Sequence, residues 1–236
     1  MSSLRTQPLN YRWTLYTGVS FLCLLAWDFS GLDRQIMHLL ADAQGFAWRD
    51  SAALETIFHT GARRLAILFY LGVICMLFWP CGIFRTVSRW QRAEVVVGIA
   101  LCLVAISGLK SISLTSCPWD LQEFGGSAHY VSHWQWGVRD GGSGACFPGG
   151  HASSAMAFLA LSLPWLTSDA LNQQRWGRNL LLAVLSLGLL LGSVQTLRGA
   201  HYPSHTFWTG LICWLVAWGN HMAFGAWAQR HPAKAS

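Results

Sequence analysis

The sequence predicts an all-α, polytopic membrane protein: a bundle of six transmembrane helices with a long extracytoplasmic loop. Two observations predict this class. Apolar residues make up 53% of the 236-residue chain and charged residues 11%, whereas ordinary soluble domains carry about 25% charged residues. The chain also has 14 Trp, a residue that concentrates at membrane interfaces. The composition excludes disordered chains, and we expect residues 1–236 to form a single membrane domain.

Six apolar segments approach the length of about 20 residues that a membrane-spanning helix needs. They occupy residues 13–29, 65–84, 95–114, 152–166, 180–197 and 207–227. The first lacks a clear signal-peptide cleavage site, so we expect it to remain as a helix. The fourth is short and starts with polar residues, so its hydropathy supports a span least. Asp28 and Lys110 are the acidic and basic residues within these segments, and both lie near span ends.

The loops between the segments differ in charge. Lys and Arg outnumber acidic residues on the side that carries both termini, which predicts cytoplasmic termini. The net charge is +6, but the Arg residues are scattered and no basic stripe could follow a nucleic-acid backbone. We therefore expect no nucleic-acid partner.

Two long loops lie on the opposite, outer side. Residues 31–64 contain apolar residues at helical spacing, which form either a helix lying on the membrane or a packed loop helix. Residues 116–150 are rich in Gly and Trp and show no helical periodicity. Cys117 and Cys146 in this loop either remain free thiols or, as we favour in an oxidising compartment, form a disulfide.

Three polar stretches adjoin span ends on the outer side, and they hold the groups that metal-independent phosphoryl transfer requires. Gly149 and Gly150 permit close backbone approach to a ligand, and the first turn of the following helix favours an anion. Lys110 adds a positive charge. His151 and His201 supply two imidazoles, of which one can attack phosphorus while the other protonates the leaving oxygen.

These stretches resemble the motifs of the type-2 phosphatidic acid phosphatase superfamily, which includes integral membrane lipid phosphatases. The family motifs are K-x6-R-P, P-S-G-H and S-R-x5-H-x3-D. This chain reads KSISLTSCP from Lys110, PGGH ending at His151, and VQTLRGAHYPSH ending at His205. The motif-bearing part spans residues 95–227.

The resemblance implies a role for each matching residue. Lys110 would bind the phosphate, and Gly149 and Gly150 would cradle it through backbone N–H groups. His151 would protonate the leaving group. His201 would be the nucleophile and form a phosphohistidine that water hydrolyses, with no cofactor and no metal.

The chain departs from the motifs at the positions of two Arg residues and one Asp. Arg198, one helical turn after the missing third-motif Arg, and Arg139 in the outer loop are candidate phosphate-binding replacements. His205 occupies the place of the Asp that orients the nucleophile. Asp120 and Asp140 are candidate replacements for that carboxylate.

A zinc site is a weaker alternative for the same histidines. His201 and His205 have i, i+4 spacing, and with His151 they would make a three-His ligand set. Pro203 between them argues against a regular helical turn that would hold both on one face.

From the resemblance we expect a lipid phosphate or diphosphate phosphatase of the bacterial inner membrane, with its site facing the periplasm. Candidate substrates are undecaprenyl diphosphate, lipid A, phosphatidylglycerol phosphate and phosphatidic acid, and membrane lipids surround the protein. Two alternatives are a phosphotransferase between lipids and a catalytically weak lipid-phosphate binder, which the missing Arg and Asp residues favour. A transporter would need charges or broken helices at mid-membrane. The sequence does not indicate an oligomeric state.

Overall fold

The computed structural model describes residues 11–42 and 44–231, and these are mainly helical. The long helices are α1 (Tyr11–Ser30), α4 (Ala62–Phe78), α5 (Arg89–Ile112), α8 (Leu171–Leu197) and α9 (Pro203–Arg230). The shorter ones are α2 (Leu32–Leu40), α3 (Ala52–Leu54), α6 (Gly150–Met156) and α7 (Leu163–Leu166). The strands β1 (Ala41–Asp42) and β2 (Gly45–Phe46) pair antiparallel.

Irregular helical turns connect several of these helices. A π-helical segment, Glu55–Gly61, joins α3 to α4, and a 3-10 segment, Ala157–Ser162, joins α6 to α7. Further 3-10 turns follow α4 at Gly82–Thr86 and lie in the outer loop at Pro118–Asp120 and Gln122–Phe124. The chain from α6 to α7 is therefore one continuous helical run through the molecule.

Local sequence signals explain where the helices begin and end. The capping box of Ser88 and Gln91 starts α5 earlier than the predicted residue 95. Pro80 disfavours a helical residue before it, so α4 ends at Phe78 rather than at residue 84. Pro203, at the first position of α9, lacks only an N–H that a helix leaves unpaired there.

The core lies where α5, α8 and α9 surround the run from α6 to α7. Every residue from Met156 to Leu166 is buried in this way. Gly98 of α5 allows the close approach, because a Cβ there would lie 2.9 Å from the Cβ of Ala160. The segment predicted as the fourth span is thus enclosed by other helices rather than by lipid.

Fewer helices meet the length and hydropathy criteria for a membrane span than the six that the sequence predicts. Within the described residues, three helical segments are long and apolar enough to cross a membrane: Ala52–Thr86, Arg89–Ile112 and Leu171–Leu197. The pair of α1 and α2, bent by 62°, makes a fourth if it is one span. The predicted spans at 152–166 and 207–227 do not meet these criteria. The former is short, and α9 carries Ser, Thr, His and Asn residues on its buried face.

The outer loops form a small packed layer of their own. Met37 of α2 is fully buried against Phe46, Phe124 and Tyr202. Leu39 on the other side of α2 is 85% exposed. The sequence left two alternatives for residues 31–64. The burial of Met37 shows that this face of α2 packs within the loop, as the packed loop helix predicts.

Candidate active site

His151 and His201 face each other, and their contact defines the site. His151 Nδ1 lies 3.4 Å from His201 Nε2. His151 is the second residue of α6, whereas His201 belongs to the turn between α8 and α9. Gly199 shapes this turn with a φ of +76°, and a Cβ there would collide with the ring of Phe46.

Lys110 reaches the same place from the last turn of α5. A Cβ built on Gly150 would lie 3.3 Å from Lys110 Nζ, so the ammonium lies directly beside the backbone that precedes His151. Burial lowers the pKa of His151 to about 3, and the charges of His59, Lys110 and Arg198 act in the same direction. The structure therefore brings together Lys110, Gly150, His151 and His201, four of the residues that the sequence analysis assigned to phosphate chemistry.

Gly149 has a different role from the predicted one. Its N–H donates to the carbonyl of His205 (3.2 Å), and its carbonyl accepts from Thr209 Oγ1 (3.1 Å). A backbone N–H already donated to α9 cannot also cradle a phosphate. Gly149 instead joins the start of α6, which carries His151, to the start of α9, which directly follows the turn that carries His201.

The other nitrogen of His201 faces Cys146 and His205. His201 Nδ1 lies 3.4 Å from Cys146 Sγ and 3.5 Å from His205 Nδ1. Burial lowers the pKa of His201 well below its ordinary value, and the charges of His205, His151 and Lys110 act in the same direction. A hydrogen bond to the Cys146 backbone opposes this shift. His201 is therefore neutral near pH 7, the form in which an imidazole is a nucleophile.

The predicted disulfide between Cys117 and Cys146 is present, with the two Cα atoms 5.1 Å apart. It joins the chain that follows Lys110 to the chain that precedes His151. Because Cys146 also contacts His201, the disulfide fixes the loop against the nucleophile candidate. It thereby links all three motif regions.

Arg198 lies near the site but is largely engaged elsewhere. Its guanidinium is buried and donates to the Arg49 carbonyl (3.1 and 3.2 Å), to Glu55 Oε2 (3.4 Å) and to Gln195 Oε1 (3.4 Å). It also lies over the ring of Trp119. The guanidinium can supply positive potential at the site from this position, as its effect on His151 indicates.

Three further candidates lie away from His201. Arg139 is exposed, and none of the hydrogen bonds or ion pairs among the described residues involves it. Asp120 accepts from the Ser143 hydroxyl (3.2 Å) within the outer loop. Asp140 is buried and accepts from the N–H and hydroxyl of Ser116 and from the Gly142 N–H. These contacts correct the expectation that Asp120 or Asp140 replaces the orienting carboxylate, because both stabilise the loop instead.

His59 is a residue of the site that the sequence analysis missed. It lies in the π-helical segment, and its ring centroid is 4.4 Å from that of His151. Its Nδ1 is buried and has no hydrogen-bond partner. Short π-helical insertions occur frequently at functional sites, but no sequence motif marks this one. The sequence does show that His59 is a polar residue just before a long apolar run, and this was the one feature that could have indicated it.

The histidine geometry does not suit the zinc alternative. A metal ion needs one nitrogen from each ring directed at a common point. His201 directs Nε2 at His151 but Nδ1 at His205. Among the described residues, the close group of ligand atoms is that of Cys117, Cys146 and His201, and its two sulfurs are bonded to each other.

Comparison with known proteins identifies the family of this chain. The profile of the PAP2 superfamily matches residues 92–228, which contain Lys110, His151 and His201 and nearly coincide with the predicted part at 95–227. No curated protein and no solved structure matches the chain significantly. Since the matched region is more than half of the chain, the protein belongs to the PAP2 superfamily, a family of phosphatases.

Proposed function

We propose that the protein is an integral membrane phosphatase that hydrolyses a lipid phosphate or diphosphate through a phosphohistidine on His201. The observation that carries this proposal is the 3.4 Å contact between His151 Nδ1 and His201 Nε2 beside the Lys110 ammonium. A neutral nucleophile, a proton donor and a fixed cation are the groups that the reaction needs from the protein.

The reaction requires the two rings to separate when substrate binds. An attacking nitrogen lies about 3 Å from phosphorus before reaction, and a hydrogen bond to the leaving oxygen adds about 3 Å more. The 3.4 Å between the two nitrogens is too short for this arrangement. In the resting protein His151 therefore closes on His201, and the phosphate displaces it.

The steps follow from the nitrogen positions. His201 holds its proton on Nδ1, the nitrogen that faces Cys146 and His205, so Nε2 carries the lone pair that forms the N–P bond. His151 enters this step as the imidazolium, the form that the negative charge of the bound phosphate favours. The bond from phosphorus to the leaving oxygen breaks, and His151 gives that oxygen its proton. His151 then removes a proton from water, whose oxygen attacks phosphorus and releases His201 and inorganic phosphate. Lys110 offsets the charge of the phosphoryl oxygens throughout.

An apolar groove supports a lipid as the substrate. A cavity of about 360 Å³ lies between α1, α8 and α9, with a lining that includes Leu24, Leu185, Leu211 and Trp214. Met156, in the same helix as His151, also lines this cavity. An acyl or isoprenyl chain in this groove would place its phosphate toward the start of α6. We therefore favour undecaprenyl diphosphate, lipid A and related lipid phosphates as substrates.

The disulfide and the charge distribution support a location in the bacterial inner membrane with the site on the periplasmic side. Disulfides persist in oxidising compartments and are rare in the cytosol. Cys117 and Cys146 adjoin the site, so the site and the disulfide share a compartment. Both termini would then be cytoplasmic, as the Lys and Arg distribution favours.

A catalytically weak lipid-phosphate binder is the second candidate. The observation that favours it is the engagement of Arg198 with Arg49, Glu55 and Gln195, which leaves Lys110 as the free cation that the described residues place beside His151. A binder would hold the phosphate at the same site without turnover.

Phosphate release from a panel of lipid phosphates by the purified protein in detergent tests the proposal. The assay contains EDTA and compares wild type with His201→Ala, with a water-soluble phosphomonoester alongside. We expect release by wild type, faster for lipids, and a loss of at least about a thousandfold in His201→Ala. Tight binding without release would favour the binder, and transfer of phosphate to a second added lipid would favour the phosphotransferase.

A further inference from the structure

Asp28 is a buried carboxylate in the apolar helix α1, and one of its oxygens is heavily used. Oδ2 accepts from Trp208 Nε1 (2.8 Å) and Trp134 Nε1 (3.0 Å) and lies 3.2 Å from His133 Nε2. The side chain is 2% exposed. The other oxygen, Oδ1, is buried without a hydrogen-bond partner. An unpaired oxygen on a buried carboxylate is costly unless something occupies its lone pairs.

Two more buried polar atoms close to Asp28 also lack partners. They are Nε2 of His205 and the hydroxyl of Tyr202, and these residues are 1% and 3% exposed. The charge of Asp28 acts on His205. His133, which contacts Asp28, has its ring centroid 5.8 Å from that of His205.

One cavity adjoins the three residues that carry these unpaired atoms. Its volume is about 20 Å³, and Asp28, Tyr202 and His205 all contribute to its lining. By the same measure, roughly 10 to 15 Å³ suffices for one water, and a buried water typically makes about three hydrogen bonds to otherwise unsatisfied polar groups. The cavity is therefore large enough for one water.

We propose that a water molecule in this cavity links His205 Nε2 to Asp28 Oδ1, so that Asp28 is the carboxylate that positions and supports His201. His201 Nδ1–H donates to His205 Nδ1, His205 Nε2–H donates to the water, and the water donates to Asp28 Oδ1. This arrangement leaves His201 Nε2 unprotonated toward the phosphate and places a negative charge where it stabilises the phosphorylated ring.

This inference rests on the proposed phosphatase activity and deepens it. In the family motif a carboxylate occupies the position of His205 itself. Here His205 and one water would connect His201 by hydrogen bonds to a carboxylate on a different helix. Asp28 is then a positioning residue, since it acts through His205 and never contacts substrate.

The test compares kcat and KM of wild type, Asp28→Asn and Asp42→Asn with the lipid phosphate that wild type hydrolyses fastest. Asp28→Asn keeps the shape and removes the charge, so we expect kcat to fall by roughly 10- to 100-fold, as when an outer partner of a functional histidine is removed, with KM little changed. Asp42→Asn makes the same chemical change at an exposed carboxylate that accepts from the Gln44 N–H, and this matched control should keep the kcat of wild type.

Rescue separates a positioning role from a structural one. Adding His205→Asp to Asp28→Asn restores a carboxylate next to His201, and we expect it to recover kcat above that of Asp28→Asn alone. If the double variant does not fold, a second experiment replaces it: Asp28→Ala is assayed with added formate, and chloride serves as the control salt. We expect formate to raise the kcat of Asp28→Ala and chloride to leave it unchanged.

The outcomes distinguish this inference from the proposed function. If wild type releases no phosphate, the proposed function fails and the inference fails with it. If wild type is active and Asp28→Asn keeps wild-type kcat, the inference alone is wrong. It is equally wrong if the folded double variant stays at the level of Asp28→Asn, or if formate has no effect.

Discussion

At the residue scale, the division of labour between His151 and His201 follows from which nitrogens face each other. His201 presents Nε2 to His151 and keeps Nδ1 against Cys146. A ring held on one nitrogen exposes the other as a nucleophile. The ring of His151 has no comparable anchor and packs against His59, which suits a group that must move and deliver a proton.

This division predicts different responses to the leaving group. His151→Ala should reduce hydrolysis of an alkyl phosphate by roughly 10²- to 10⁴-fold but affect p-nitrophenyl phosphate much less, because p-nitrophenolate leaves without protonation. His201→Ala should abolish both reactions. Rate measurements with the two substrates check this, and equal losses in His151→Ala would contradict its role as the acid.

Burial of His201 also predicts how stability depends on pH. Its folded-state pKa is well below the unfolded value of about 6.5, so the unfolded chain binds the extra proton first as the pH falls. Stability should therefore be highest above about pH 6.5 and decline below it by up to about 1.4 kcal/mol per pH unit from this residue. Thermal unfolding in detergent between pH 8 and 5 measures this. His201→Asn is the control and should show a shallower decline.

At the element scale, the turn between α8 and α9 depends on Gly199. Its positive φ and its contact with Phe46 leave no room for a side chain, and the turn presents both Arg198 and His201. The packing of α2 and β2 against the outer loop therefore also fixes the nucleophile.

Gly199→Ala should destabilise the protein by about 1–3 kcal/mol and lower activity, because His201 moves with the turn. Gly219→Ala in α9 is the matched control, since a Cβ there has no neighbour within 4 Å and Ala favours a helix over Gly. Thermal midpoints in detergent check both. A Gly199→Ala variant as stable as Gly219→Ala would disprove the role of the turn.

Element boundaries and contacts show what the sequence alone could predict. The three motif regions, the disulfide and the central positions of α4, α5 and α8 follow from local patterns and spacing. The contact of Gly149 with His205 and the engagement of Arg198 with Arg49 depend on how distant segments pack, which no local pattern encodes. Asp28 had a signal, because an acid within an apolar span suggests function, but its partners lie on other helices.

At the scale of the whole molecule, two of the helices that begin beside the site, α6 and α9, are not among the helices that are long and apolar enough to cross a membrane. The segment at 150–166 is enclosed by its neighbours, and α9 buries Ser, Thr and Asn residues. Shielding by other helices removes the need for a continuous apolar surface. Hydropathy therefore identifies three or four spans, while six remain our prediction for the intact protein.

Reporter fusions test that prediction. A fluorescent protein that folds only in the cytosol should be active on the C-terminus, and a periplasmic alkaline phosphatase reporter should be inactive there. The control is the same pair of reporters inserted at Gly125, in the outer loop, where the pattern should reverse. A C-terminus on the same side as Gly125 would exclude an even number of spans with both termini cytoplasmic.

The joint between Gly149 and His205 restricts how the protein can admit its substrate. Because α6 and α9 are tied together where they begin, prising them apart would break the backbone frame that carries both imidazoles. The π-helical segment that carries His59 contacts the site through side chains instead, with His59 against the His151 ring and Glu55 on Arg198. We therefore expect a headgroup to enter by rearrangement of these side chains, while the backbone joint stays intact.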